Sequence, residues 1–260
     1  MINYHGHTKR CHHAIGEDEE YVLNAIEGGY DAIGFTDHVM LPGFKEQGVR
    51  ALYEKKDEYL SSVKDLKEKY KNIITIYVGF ECEWDKSFTS YYKSLLDSKQ
   101  VDYLIFGNHY LYITNDSFVW KQEPTNKYLR RYRDYAIEAL NSKLFKIMAH
   151  PDLFMNDVLK WNKTCKEISY EICKVAKQNN VALELNAGCI VSEGKRLIGN
   201  EYRYRYPYEK FWRIAKKVGN TIVIGMDVHN PKTYILKEKR KEVELFAKKL
   251  RLTIIDNLNI

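Results

Sequence analysis

Nearly every apolar, strand-like run in this chain ends in a histidine or a carboxylate, and few folds can use such a pattern. Met1-Ile2-Asn3-Tyr4 leads into His5 and His7, and Ala32-Ile33-Gly34-Phe35-Thr36-Asp37 leads into His38. Ile76-Tyr77-Val78-Gly79-Phe80 runs into Glu81, and Tyr103-Leu104-Ile105-Phe106-Gly107-Asn108 into His109. Leu144-Phe145-Lys146-Ile147-Met148-Ala149 precedes His150, and Thr221-Ile222-Val223-Ile224-Gly225-Met226 precedes Asp227 and His229. A parallel barrel turns all its strand ends toward one mouth, so residues far apart in sequence meet there. Imidazoles and carboxylates gathered in one mouth suit a multinuclear metal site.

The periodicity supports this architecture. Strand-like runs cover residues 1–5, 31–37, 73–80, 102–107, 144–149, 181–186 and 221–226, with a weaker one at 252–255. Helical patterns lie between them, near 17–28, 50–70, 87–99, 125–142, 163–179, 207–218 and 231–250. Repeated strand–helix units predict parallel strands joined by right-handed crossovers. Seven good strand candidates suit a closed or nearly closed barrel. An open doubly wound sheet is the alternative, but it gathers ligands at one crevice rather than from every strand end. With no linker, repeat or low-complexity stretch, residues 1–260 read as a single α/β domain.

Composition narrows the function classes. The net charge of +6 is mild, and its densest part, Lys232 to Arg251, mixes Lys and Glu at helical spacing as a solvated helix face does. Five cysteines at 11, 82, 165, 173 and 189 form no Cys-x-x-Cys pair, which predicts reduced thiols in a cytoplasmic protein. No export leader or membrane span is legible. Trp84, Trp120, Trp161 and Trp212 read as core or mouth-lining aromatics.

His5-Gly6-His7 places two rings on one face of a strand, because alternate residues share a face. The same mouth is expected to receive His38, Glu81, His109, His150, Asp227 and His229, with either His12 or His13 from the loop after the first pair. Glu81 has two oxygens and can bridge two cations; Glu83, two residues on, competes for that role.

These segments resemble the polymerase-and-histidinol-phosphatase (PHP) superfamily, in particular its monofunctional histidinol-phosphatase branch. The matching stretches are His5-Gly6-His7, Cys11-His12-His13-Ala14, Gly34-Phe35-Thr36-Asp37-His38, Gly79-Phe80-Glu81, Gly107-Asn108-His109, Ala149-His150-Pro151, Glu184-Leu185-Asn186 and Gly225-Met226-Asp227-Val228-His229. The resemblance implies a distorted (β/α)7 TIM-like barrel holding two or three divalent metal ions, Zn, Mn or Fe. It implies His5, His7, His13, His38, Glu81, His109, His150, Asp227 and His229 as ligands, choosing His13 over His12. The implied activity is hydrolysis of a small phosphorylated metabolite, L-histidinol phosphate first, by a hydroxide shared between two cations.

Protonation of the leaving group needs an acid at the mouth, and Asp37, His38 and Asp227 are the candidates, although Asp37 could instead orient a ligand histidine. Asn186, Arg196, Arg203 and Arg205 are the substrate-binding candidates. Tyr202-Arg203-Tyr204-Arg205-Tyr206-Pro207-Tyr208 reads as a phosphate clamp, a base-stacking loop or a loop with tyrosines packed inward. A nuclease, an amidohydrolase and a non-catalytic metal-binding module are the other readings weighed, and nucleic acid is not the expected partner. The sequence does not specify an oligomeric state.

Overall fold

In a small barrel, alternate residues of every strand face the axis and the rest face the surrounding helices. The computed structural model describes residues 1–44, 48–109, 125–156 and 158–260. Its main sheet has seven parallel strands: β1 (Ile2–Asn3), β2 (Ala32–Phe35), β3 (Thr75–Cys82), β4 (Tyr103–Gly107), β5 (Ile147–Ala149), β6 (Ala182–Asn186) and, after a hairpin, β9 (Ile222–Gly225). Each pairs with the next in that order. Helices α1 (Asp18–Gly28), α2 (Lys56–Lys69), α3 (Thr89–Asp97), α4 (Asn126–Asn141), α5 (Lys163–Gln178), α7 (Glu209–Val218) and α8 (Lys237–Leu250) wrap the outside, and a short α6 (Gly188–Ser192) follows β6. This is the distorted (β/α)7 barrel that the resemblance implied, and it agrees with the nearly closed barrel that the strand count suited.

The sheet does not close by a regular ladder. β1 and β9 meet only just past their ends, where His7 N–H donates to Val228 O (2.8 Å) and Val228 N–H donates to His5 O (3.2 Å).

Local chemistry fixes the first helix as its sequence suggests. Glu17 and Glu20 form a reciprocal capping box, Asp18, Glu19 and Glu20 load the first turn, and Gly29 ends the helix at φ +79°. On α8 the apolar Val243, Phe246, Ala247 and Leu250 turn inward, so the Lys/Glu run is a solvated helix face.

Inside the barrel, the strands carry a graded stack. Its floor is aromatic: the rings of Tyr4, Tyr77 and Tyr103 lie 5.8–6.2 Å apart. Ile105, Ile147, Ala149, Ala182 and Val223 fill the middle. Further along the same inward faces come Glu81, two residues after Gly79 on β3, and Glu184 and then Asn186, at alternate positions after Ala182 on β6. Below the floor the C-terminal tail closes the barrel, with Leu258 N–H donating to Tyr4 Oη (2.8 Å) and Leu258 and Ile260 packing on the tyrosines. The outward faces pack with the helices in one large apolar core.

Two elements differ from expectation. Residues 252–255 make only a single bridge, Ile254 to Ile222, because the chain turns under the barrel there. The stretch holding Arg196 and Arg203 is a β-hairpin, β7 (Arg196–Ile198) and β8 (Glu201–Arg203), turning at Gly199-Asn200. Of the tryptophans, Trp84 and Trp212 are buried and Trp161 stacks on Tyr208, while Trp120 lies outside the described residues. All five cysteines are buried and free. Among the described residues no helix is long and apolar enough to cross a membrane.

Candidate metal centre

His5 and His7 alternate just past β1, so both rings turn into the mouth, where they meet Glu81 from β3 and Asp227 from the end of β9. His5 Nε2 and His7 Nε2 are 3.0 Å apart, and Glu81 Oε2 lies 3.4 Å from each. Asp227 Oδ1 lies 3.5 Å from His5 Nε2 and 3.3 Å from His7 Nε2. A tetrahedral ion with bonds of about 2.0–2.1 Å has ligand–ligand edges of roughly 3.3–3.4 Å. The His5, His7 and Glu81 atoms therefore stand close to three corners of such a cage, and Asp227 approaches the same two imidazoles at similar range.

The other Glu81 oxygen faces a second group. Oε1 is 3.0 Å from His150 Nε2 and 3.4 Å from His109 Nε2, and the two imidazole nitrogens are 3.1 Å apart. His38 Nδ1 approaches Glu81 Oε2 at 3.4 Å. A third group joins His7, Asp227 and His229, with the His229 ring stacked 4.3 Å from that of His7 and 4.7 Å from that of His13. His12 is exposed, in the left-handed cap of a 3-10 turn, whereas His13 lines the cavity. Eight of the nine expected ligand residues thus line one pocket, and the fully buried His5 stands behind them with its Nε2 3.0 Å from that of His7.

A supporting layer fixes their orientation. Glu184 Oε1 is 2.8 Å from His5 Nδ1, and its Oε2 accepts from His150 N (3.1 Å) and Asn186 Nδ2 (2.7 Å). Glu83 Oε1 holds His109 Nδ1 (3.1 Å), while its Oε2 pairs with the buried Arg50 (3.0 Å). Cys11 Sγ is 3.4 Å from His7 Nδ1. Such partners select the tautomer that aims the opposite ring nitrogen at an ion. They leave no room for side chains opposite: a Cβ on Gly107 would stand 2.4 Å from Glu81 Oε1, and one on Gly225 would stand 1.8 Å from Glu184 Oε1. His150 and Asp227 sit at φ +28° and +50°, the kind of backbone strain that concentrates at functional sites.

The electrostatics match a cation cage. Burial opposes ionisation of Glu81, yet His109, His5 and His38 hold its pKa well below the usual range. Asp227 behaves alike, burial being outweighed by His5 and His7. Burial, reinforced by repulsion from His229 and His38, lowers His7 well below its ordinary value and His13 to about 4. At His5 and His109 burial is outweighed by Glu184 and Glu81 respectively, which raise both rings, so a cation there competes with a proton.

Above the donors opens a cavity of about 460 Å³, walled by Val49, Leu153, Asn156, Arg205 and Tyr206. Several candidates do not reach it. Asp37 is fully buried, its oxygens accepting from Thr8 N (2.5 Å) and Thr8 Oγ1 (2.6 Å), so it does not face the mouth as an acid, and it stands near the ligand His7 only in a group with Cys11. Arg203 is turned inward onto backbone carbonyls, which removes it as a phosphate ligand and removes the arginine from any stacking loop. Arg196 sits on the exposed hairpin, paired with Glu193. Asn186 braces Glu184 and Gly188 and reaches Asp227 Oδ2 at 3.3 Å, so it acts inside the supporting layer. Of the substrate-binding candidates Arg205, also paired with Glu193, lines the cavity as expected, as do His38 and Asp227 of the acid candidates.

Sequence reasoning left Glu184, Arg50 and Tyr206 without roles. The signal for Glu184 was present, since it alternates with Asn186 on β6 as His5 does with His7. Arg50 and Tyr206 come from irregular segments whose folding no periodicity announces.

A family profile described as PHP domain matches residues 3–188. The "Probable histidinol-phosphatase" of Deinococcus radiodurans is 27% identical over 243 residues, spanning 89% of this chain and 87% of that protein. The "Histidinol-phosphatase" of Lactococcus lactis subsp. lactis is 25% identical over 248 residues, spanning 88% and 84%. The crystal structure of histidinol phosphate phosphatase from Lactococcus lactis, complexed with Zn, L-histidinol and phosphate, superposes with a TM-score of 0.74 at 20% identity. That match covers 98% of this chain and 95% of that one, and supports the same fold.

Proposed function

The chain belongs to the PHP domain family, and from that premise we propose that it is a metal-dependent phosphomonoesterase converting L-histidinol phosphate and water to L-histidinol and phosphate. The observation that carries this reading is the divided carboxylate of Glu81, with Oε2 beside the His5/His7 pair and Oε1 beside the His109/His150 pair. One carboxylate facing two imidazole pairs suits a bridged dinuclear centre, and the His7–Asp227–His229 group offers a third position. Zinc is the first candidate, with manganese and iron behind it.

Bound divalent cations would lower the pKa of an attacking water and stabilise negative charge on the phosphoryl oxygens. The chain's own residues do the rest. Glu184 and Glu83 hold His5 and His109 with Nε2 turned inward. Arg205 is the one lysine or arginine among the described lining residues, and it is placed to meet the dianion. Val49, Leu153 and Tyr206 supply apolar surface to the wall. In the reaction a water oxygen bonds to phosphorus as the ester P–O bond breaks, and a proton passes to the departing alkoxide.

No serine, threonine or cysteine lines the described cavity, so the walls favour direct attack by water over a phosphoseryl or phosphocysteinyl intermediate. The volume suits a small metabolite. We place the enzyme in the cytoplasm with its biosynthetic relatives. The test is elemental analysis of purified protein, followed by steady-state rates on L-histidinol phosphate, p-nitrophenyl phosphate and a single-stranded oligonucleotide. Bound metal with preferred turnover of histidinol phosphate is expected. Preferred cleavage of the oligonucleotide would overturn the reading.

A further inference from the structure

Arg203 is about nine-tenths buried, and both its terminal nitrogens are committed to main chain. Nη1 donates to Tyr204 O and Arg205 O (2.8 Å each), and Nη2 donates to Met155 O (3.1 Å) and Val158 O (2.6 Å). The first two carbonyls belong to the segment that carries Arg205 and Tyr206 across the cavity wall. The other two belong to the turn that follows β5 and His150. One guanidinium thus ties the substrate-facing segment to the loop that leaves a ligand strand.

A second tie lies at the far end of that segment. Asp152 is fully buried, and its Oδ2 accepts from Tyr208 N (2.6 Å) and Trp212 Nε1 (3.1 Å). The guanidinium carbon of Arg203 sits 4.9 Å from the centre of the Tyr208 ring, which also stacks on Trp161 at 5.3 Å. Arg205 and Tyr206 are therefore held between two anchors, at Tyr204–Arg205 and at Tyr208, that lead back to Met155 and Val158 and to Asp152.

From this arrangement we propose that Arg203, with Asp152 behind it, is a positioning residue for substrate: it fixes Arg205 and Tyr206 against the cavity without touching the substrate itself. The proposal rests on the phosphomonoesterase reading only in naming what binds there. The geometry explains why arginine occupies the position. A lysine ammonium directs its donors from a single point and cannot span carbonyls on two segments, whereas the planar fork can. It also separates two jobs at one mouth, since neither anchor bonds a metal-ligand side chain.

The test compares R203K and Asp152→Ala with the wild type, using L-histidinol phosphate, elemental analysis and hydrogen exchange. Misplacement of a substrate-holding group by about an ångström can cost on the order of 100-fold. KM in R203K should accordingly rise about 10- to 100-fold, with metal content kept and kcat much less affected. Asp152→Ala should move the same way and carries the test if R203K does not fold. Because Arg203 acts through Arg205, adding R203K to R205A should change KM little beyond R205A alone.

Unchanged KM in a folded R203K, or full additivity with R205A, would overturn the proposal. If the wild type hydrolyses no phosphomonoester, that failure belongs to the functional reading, and hydrogen exchange then decides the clamp. Faster exchange at the amides of 205, 206 and 208 in R203K supports it, and unchanged exchange there refutes it.

Discussion

Replacing Glu184 by glutamine separates the supporting layer from the ligands. The carboxylate touches no cavity wall, yet it orients His5 Nδ1 through Oε1 (2.8 Å) and accepts from His150 N and Asn186 Nδ2 through Oε2. An amide keeps one acceptor and presents an N–H₂ to the other side. It must then either lose its hold on His5 or set a donor against the His150 amide. Removing such a partner typically weakens metal affinity about 10- to 100-fold, or about 1.4–2.7 kcal/mol. The same amount disappears from the stabilisation that added metal gives the fold at fixed concentration. At roughly 2–4 °C per kcal/mol for a chain of this size, the metal-induced rise in Tm should shrink by about 3–10 °C. Each protein's metal-induced shift is read from its own melting temperature in chelator, because Glu184 also pairs with His5 there, and its loss should lower that baseline. The assay is thermal unfolding in chelator and in excess zinc, beside a competition titration for affinity. Equal metal-induced shifts in wild type and E184Q would show that Glu184 does not tune the centre.

Other expectations follow from the same geometry. In Gly107→Ala the added methyl would stand 2.4 Å from Glu81 Oε1 and 2.5 Å from His109 Cε1, so bound metal and activity should fall together, activity by about 100-fold or more, with circular dichroism little changed. Asp37→Asn should lower stability by about 1–3 kcal/mol in urea unfolding, because the amide keeps one acceptor oxygen and sets a donor against the other Thr8 group; a general acid would instead cost about 10²–10⁴ in kcat with stability kept. Burial opposes protonation of His5, but Glu184, Asp227 and Glu81 outweigh it and hold its pKa well above its ordinary value, so near pH 7 a metal competes with a proton there. Zinc binding at that pH should therefore release protons, read by calorimetry as a dependence on buffer ionisation heat, and heats independent of buffer would contradict this.

The barrel was legible because its β-branched and aromatic runs are long enough to show a period and end in residues of unmistakable chemistry. Glu81 and its imidazole neighbours followed from strand ends alone. The hairpin was not legible: Arg196-Leu197-Ile198 and Glu201-Tyr202-Arg203 are too short to show alternation, although Gly199-Asn200 marks a turn. Arginines were harder still. Arg203, Arg205 and Arg196 share a composition and differ in which carbonyls or acids surround them, and tertiary packing alone decides that. Asp37 misled for a similar reason, since its position before His38 suggested the mouth while the alternation of β2 turned it to Thr8.

The join between the first and last barrel strands bears on how the protein depends on its ions. That join has two main-chain hydrogen bonds, and it falls between His5-Gly6-His7 on one side and Asp227-Val228-His229 on the other. A cation shared by His7 and Asp227 would act as a rivet across the weakest line of the cylinder. Stripping the ions should then unfasten the N-terminal edge before anything else, exposing it to aminopeptidase or endoprotease nicking while the opposite staves stay shut.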